Sequence, residues 1–301
     1  MMNLLSIEDF TKAQMGEVFE IANDLRADKS SLALKKGSIA VLLFEKPSTR
    51  TRISFEVAMA QLGGNYIYVD PRTTQLSRGE SWSDTAKVLS SYVDFIICRL
   101  FKDEDLREIA KGSSVPVINA LTDQEHPTQA LADLYTIMEA KGKLKGLKIA
   151  MLGDVANNTF NSLMIAAAMM GMEVALIGPK ANVANARFVS KAKEYGIVKI
   201  YDNVKEGVEG ADVLYTDTFV SMGEESEAEL RRKLFMPYQV NANVLKMAAP
   251  RAIVMHPLPA HRGEEVTAEV IDGKQSVVFQ QAKNKLLVEK AIILYIAGRG
   301  K

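Results

Sequence analysis

The chain has 301 residues, 48% hydrophobic and 25% charged, an ordinary globular composition at a length that suits two domains better than one. Lysine plus arginine equals aspartate plus glutamate at 37 each, which excludes the basic excess of a nucleic-acid binder. A single cysteine, Cys98, excludes an internal disulfide and a cysteine zinc site, and no stretch approaches the ~20 apolar residues of a membrane helix. Lone and set in the apolar run 95–98, Cys98 reads as a small core hydrophobe in a cytoplasmic protein. The first five residues lack the basic and apolar regions of a signal peptide.

In chain order, Ser6 with Asp9 three residues later resembles a capping box and predicts a helix through about residue 28. Residues 39–44, Ile-Ala-Val-Leu-Leu-Phe, read as a buried strand. Pro47 disfavours helix at Lys46, so the next helix starts no earlier than Ser48 and runs to Leu62, before Gly63-Gly64. Strands follow at 65–69, 94–100 and 115–119, with helices at 83–92 and 103–111 between them and a polar loop at 70–80. A helix opened by His126-Pro127-Thr128-Gln129 runs to about residue 140, and the Lys/Gly-rich stretch 141–146 is the best linker candidate. The alternation then restarts. Strands are expected at 148–152, 173–177, near 199–201, at 213–216 and at 252–255. Helices are expected at 162–170 and 183–195, with a final one at 285–297 stopped by Gly298. Such alternation predicts an α/β chain of two doubly wound parallel-sheet domains with a small-molecule site in the cleft between them. The domains are expected at 1–138 and 139–301, with helix 285–298 packing back onto the first.

Five stretches could carry chemistry, and each has an ordinary alternative. Ser48, Thr49 and Thr51 place hydroxyls, free backbone N–H groups and the arginines Arg50 and Arg52 at one helix N-terminus, a ready phosphate cradle. A capped helix with surface arginines fits that run about as well. It lacks the glycine pattern of a nucleotide P-loop or a dinucleotide fingerprint. His126 and Gln129 share a face if both lie in a first helical turn, where a neutral imidazole is favoured; a capping turn with an exposed histidine is the alternative. Asn157 and Asn158 follow a strand, as does Asp217, which could meet a ligand ammonium or be a solvated carboxylate. His256-Pro257-Leu258-Pro259 is a rigid extended turn whose carbonyls could bind ligand N–H groups. The three histidines show no two-ligand metal spacing, so no metal is expected.

The Ser48-Thr49-Arg50-Thr51-Arg52 run, followed by Ser54-Phe55-Glu56 and Leu62-Gly63-Gly64, resembles the carbamoyl-phosphate signature of the aspartate/ornithine carbamoyltransferase family. Arg99 at a strand end, His126-Pro127-Thr128-Gln129 and His256-Pro257-Leu258-Pro259 match the same family in its order along nearly the whole chain. The resemblance implies that Ser48, Thr49, Arg50 and Thr51 hold phosphate and that Thr51, Arg99 and His126 polarise the carbonyl. Gln129 and the Leu258 carbonyl would hold the carbamoyl NH2, with Gln75 reaching a neighbouring subunit's site and Lys285 adding charge. Asn158, Asp217, Ser221, Met222 and Pro257 would hold the amino acid. Asp217 with Ser221-Met222-Gly223, and Ala260 to Val266, are similar to the ornithine branch; aspartate, putrescine and acylated ornithine are the alternative acceptors, and a catalytically inactive binding protein the alternative class. Pro257 stands where ornithine enzymes usually carry cysteine, and Lys285 where they usually carry arginine. The resemblance also implies no cofactor and a homotrimer, or a multiple of trimers, with sites shared between subunits.

Overall fold

The computed structural model describes residues 2–28, 32–221, 223 and 225–298. The chain divides into two units, one of residues 1–132 with 284–301 and the other of residues 133–283. The division thus falls inside the helix Pro127–Lys141 rather than in the lysine- and glycine-rich stretch after it.

In the first unit the strands are β1 (Ile39–Phe44), β2 (Asn65–Val69), β3 (Phe95–Arg99) and β4 (Val117–Leu121). They form one sheet in the order β2-β1-β3-β4, with every pairing parallel. In β1 only Ile39 keeps appreciable exposure, and β3 and β4 are buried throughout. Strands covered on both faces read as unbroken apolar runs, which is why the sequence shows no alternation there. β2 is the edge strand and its side chains are exposed or half-buried.

In the second unit the strands are β5 (Lys148–Leu152), β6 (Glu173–Ile177), β7 (Val198–Tyr201), β8 (Val213–Thr216) and β9 (Ile253–Met255). Their order is β7-β6-β5-β8-β9, again all parallel. Both sheets wind outward in one direction and then reverse. The reversal falls between β1 and β3 in one sheet and between β5 and β8 in the other. In open parallel sheets the crevice at the carboxyl ends of such a strand pair is the preferred ligand position.

Several helices differ from their expected extents, two of them for a capping reason. Ser6 does form a capping box with Asp9, but it caps only the short turn Ile7–Asp9. Phe10 is extended, and a second capping box, Thr11 with Gln14, starts the true helix Lys12–Arg26. Asn157 caps Asn158–Met169 by accepting from the Thr159 N–H, so that helix begins before Ser162. The last helix is Val278–Ile296, a turn and more longer at its start than its apolar run.

Candidate active site

In the first unit a candidate site is built on the reversal between β1 and β3. Phe44 and Arg99 are register partners at the ends of these strands. Beyond them the Glu45 N–H donates to the Arg99 carbonyl (2.8 Å), and Glu45 Oε2 accepts from the Phe101 N–H (2.9 Å). The two loops are thereby fastened together. Ser48 is extended and caps the helix Thr49–Gln61, its hydroxyl accepting from the Thr51 N–H at 3.3 Å. Thr51 is buried, Ser48 half-buried, and Thr49 and Arg50 are exposed in the first turn. The β3–β4 ladder shifts register between Cys98 and Arg99, an irregularity of the kind that re-aims a side chain.

Arg99 is 6% exposed, and its Nε makes no hydrogen bond. Burial, with the nearby Arg50 charge, lowers its pKa to about 10, so it stays a cation at neutral pH. No carboxylate among the described residues pairs with it. Buried charge without a counter-ion is costly, and an anionic ligand would relieve it.

His126 directly precedes the helix Pro127–Lys141, and its carbonyl accepts from the Gln129 and Ala130 N–H groups (both 3.1 Å). The imidazole is buried and pushed well below its usual range, first by burial and then by Lys285 and Arg99. It is therefore neutral. The Thr128 hydroxyl lies 3.4 Å from Nδ1; where it donates there, Nε2 carries the proton and is the donor. Gln129 Oε1 accepts from Lys285 Nζ at 3.0 Å.

The structure thus gathers Ser48, Thr49, Arg50, Thr51, Arg99, His126, Gln129 and Lys285 in the first unit. Gln75 lies apart from them, exposed in the short turn Gln75–Arg78. Leu258 belongs to the second unit. Arg52 does not join the cradle: its Nε bonds Glu56 (2.8 Å) and its guanidinium stacks 3.6 Å from the Tyr68 ring centroid. One residue further along a helix turns the side chain by ~100°, so alternate arginines leave on different faces. A feature that the sequence reading missed is Lys46, buried after β1, paired with Asp123 and set 4.7 Å from the Phe101 ring centroid. The residue before a proline gives no signal for such a pair.

In the second unit a separate candidate site occupies the reversal between β5 and β8. Thr216 Oγ1 donates to the Leu152 carbonyl (3.1 Å) where the strands end. Gly153 follows at φ 107°, and a Cβ there would stand 3.1 Å from Phe219. Only glycine fits both the backbone and the neighbour. Asn158 starts its helix behind the Asn157 cap. Asp217 stands immediately after β8 and accepts from the Thr218 N–H (2.8 Å). Burial raises its pKa, partly opposed by His256 and reinforced by Glu265 and Asp154. Among the described residues no lysine or arginine pairs with it. Ser221 is half-buried; Met222 lies outside the described residues.

Asp154 and Arg231 hold this region, and the sequence reading gave neither a role. Asp154 accepts from the Ala156 N–H (3.0 Å), Asn182 (2.9 Å) and Arg231 Nη2 (2.5 Å). Arg231 Nε also donates to the Phe219 carbonyl (2.9 Å). Arg231 sits in Ala-Glu-Leu-Arg-Arg-Lys-Leu-Phe, a charged helix with nothing to mark it. After β9, His256 Nδ1 accepts from the Leu258 N–H (2.9 Å). Its proton must then lie on Nε2, which donates to the fully buried Glu265 (3.0 Å). This bracing fixes the Pro257-Leu258 turn, where Leu258 adopts φ 58°, a conformation that β-carbon-bearing residues rarely take.

Two family models match the chain. The aspartate/ornithine carbamoyltransferase carbamoyl-P binding domain covers residues 2–139, and the Asp/Orn binding domain of the same family covers residues 145–296. An ornithine carbamoyltransferase of Bacillus subtilis is 46% identical over 304 residues, covering 99% of this chain and 95% of that one. Among solved structures, the ornithine carbamoyltransferase from Pyrococcus furiosus is 43% identical with a TM-score of 0.93, covering 98% of this chain and 97% of that one. The anabolic ornithine carbamoyltransferase from Campylobacter jejuni is 36% identical, also with a TM-score of 0.93, covering 99% of each.

Proposed function

The chain belongs to the aspartate/ornithine carbamoyltransferase family, and on that premise we propose that it transfers the carbamoyl group of carbamoyl phosphate to the side-chain amine of L-ornithine, giving L-citrulline and phosphate. The observation that carries the choice of acceptor is Asp217. It is a half-buried carboxylate at a topological reversal, its pKa raised by burial, with no cationic side chain among the described residues paired with it, and the α-ammonium of ornithine supplies that cation. Aspartate would bring a second carboxylate to a region that offers Asp217, Asp154 and Glu265.

In this reading Ser48, Thr49, Arg50 and Thr51 hold the phosphate at the helix N-terminus. The ornithine amine attacks the carbonyl carbon in its neutral form, and the C–N bond forms. Charge then gathers on the carbonyl oxygen. Arg99, the His126 N–H and the Thr51 hydroxyl stabilise it as preorganised donors whose reorientation costs nothing at that moment. The tetrahedral species collapses by breaking the bond to the phosphate oxygen, which takes the electron pair, and the proton lost by nitrogen passes to the departing phosphate. A neutral His126 suits this role, because it donates without adding a third full charge beside Arg99 and Lys285. Gln129 and the Leu258 carbonyl accept from the carbamoyl NH2. Asn158, Ser221, Met222 and Pro257 flank the amino acid. Lys285 keeps positive charge near the carbamoyl group, though without arginine's bidentate fork. No enzyme nucleophile, metal or cofactor enters the scheme.

We further propose a homotrimer in which the exposed Gln75 completes a neighbouring subunit's carbamoyl-phosphate site. Mixing Gln75→Ala with Arg50→Ala subunits should then restore activity that neither variant shows alone. The test of function is an assay of ornithine, aspartate, putrescine and an acylated ornithine with carbamoyl phosphate, read as carbamoylated product. Ornithine should react fastest; faster carbamoylation of aspartate at equal concentration would sink the assignment.

A further inference from the structure

Lys285 and Glu289 lie four apart on the helix Val278–Ile296, on one face. Lys285 Nζ is 3.0 Å from Gln129 Oε1 on one side and 3.4 Å from Glu289 Oε1 on the other. Glu289 is fully buried, and neither of its oxygens makes a hydrogen bond of ordinary geometry. Burial raises its pKa to about 7, against the opposing influence of Lys285 and of Ser54. The Ser54 hydroxyl belongs to the cradle helix and donates to the Thr51 carbonyl (3.2 Å).

Such a carboxyl is a poor device for stability alone. Buried ion pairs are often matched or bettered by apolar side chains of similar size, and this helix buries Val288, Ala291, Ile292, Ile293 and Leu294 as well as the uncharged Gln281 and Asn284. What the pair reaches is an amide that must face the right way. Glutamine offers an oxygen acceptor and an NH2 donor that can exchange places by rotation. The carbamoyl NH2 is a donor and needs the oxygen. An ammonium can only donate, so Lys285 holds Oε1, and not the NH2, toward itself. Lysine is a mobile point charge on a flexible stem. Here it also shares a neighbourhood with Arg99, both acting on His126. Glu289, 3.4 Å from Lys285 Nζ, is placed to hold the ammonium at Gln129.

We propose that Glu289 is a positioning residue of the carbamoyl-phosphate site, acting through Lys285 to fix the amide of Gln129 as an acceptor for the carbamoyl NH2.

The inference rests on the proposed carbamoyl transfer, but its test needs no turnover. Calorimetry compares a phosphonate bearing a terminal carboxamide with inorganic phosphate. Glu289→Gln should weaken the carboxamide phosphonate about tenfold, the scale of one well-placed hydrogen bond, and leave inorganic phosphate within about twofold. In a Lys285→Met background, Glu289→Gln should add no further loss, since the relay is already cut. An equal loss for both ligands, no loss for either, or a further loss in that background overturns the proposal. If Glu289→Gln alone fails to fold, the Lys285→Met/Glu289→Gln double variant, free of buried charge, decides. It should fold and favour the carboxamide phosphonate less than the wild type does, and wild-type discrimination would overturn the proposal. A wild-type chain that binds the phosphonate yet forms no citrulline counts against the proposed function alone.

Discussion

Arg50 and Arg52 are two residues apart and do different work. Arg52 leans on Tyr68 and Glu56, so Arg52→Ala should change the melting temperature and the activity little. Arg50→Ala should leave the fold intact and lower kcat/KM for carbamoyl phosphate about 10- to 100-fold, the loss of a charge-assisted contact. Wild-type kinetics in a folded Arg50→Ala protein would rule out the cradle. Asp217→Asn should cut kcat/KM for ornithine by the equivalent of about 2–5 kcal/mol, the loss for one partner of a buried charge pair, with carbamoyl-phosphate binding nearly unchanged. His126 makes a prediction about pH. Its folded pKa lies well below 6.5, so between those values the unfolded chain binds a proton that the folded one refuses. Stability therefore falls as pH drops below about 6.5, at up to about 1.4 kcal/mol per pH unit from this group. His126→Asn should flatten that part of the curve of melting temperature against pH. An unchanged curve would mean that the imidazole is protonated in the native state.

At the scale of elements, the strands of both sheets were legible in the sequence because buried parallel strands announce themselves as short apolar runs between turns. Helix starts were less so. The side chain that caps a helix need not adjoin its apolar stretch, as Asn157 shows ahead of Phe160 and Thr11 ahead of Met15. The residues expected to touch carbamoyl phosphate were named from the family motifs that they resemble, at strand ends and in one helical turn. The groups that brace them were not, since Arg231, Glu265 and Glu289 are ordinary charges in ordinary charged helices and loops until the fold buries them. Arg231 is the sharpest case. It joins the loops after β5 and β8 through Asp154 and the Phe219 carbonyl. Arg231→Leu strands a buried carboxylate and should cost about 3–5 kcal/mol. KM for ornithine should rise with it, while KM for carbamoyl phosphate stays. A rise in both would assign Arg231 to the fold at large.

For the whole molecule, the proposed reaction needs both substrates bound together, so each should report on its partner. Ornithine should bind more tightly in calorimetry when a carbamoyl-phosphate analogue is present, and equal affinity in both titrations would count against coupling. The order of the chain adds a separate consequence. Residues 284–298 belong to the first unit. There Asn284 accepts from Arg26 (2.7 Å), Tyr295 meets Phe10 edge-on at 5.5 Å, and Ile292 to Leu294 are fully buried. A ribosome makes that segment only after residues 133–283, which form a continuous stretch. The half begun first is therefore finished second: on the ribosome the second unit can close while the first still waits for its final helix, with the face of Phe10 open to water and to chaperones.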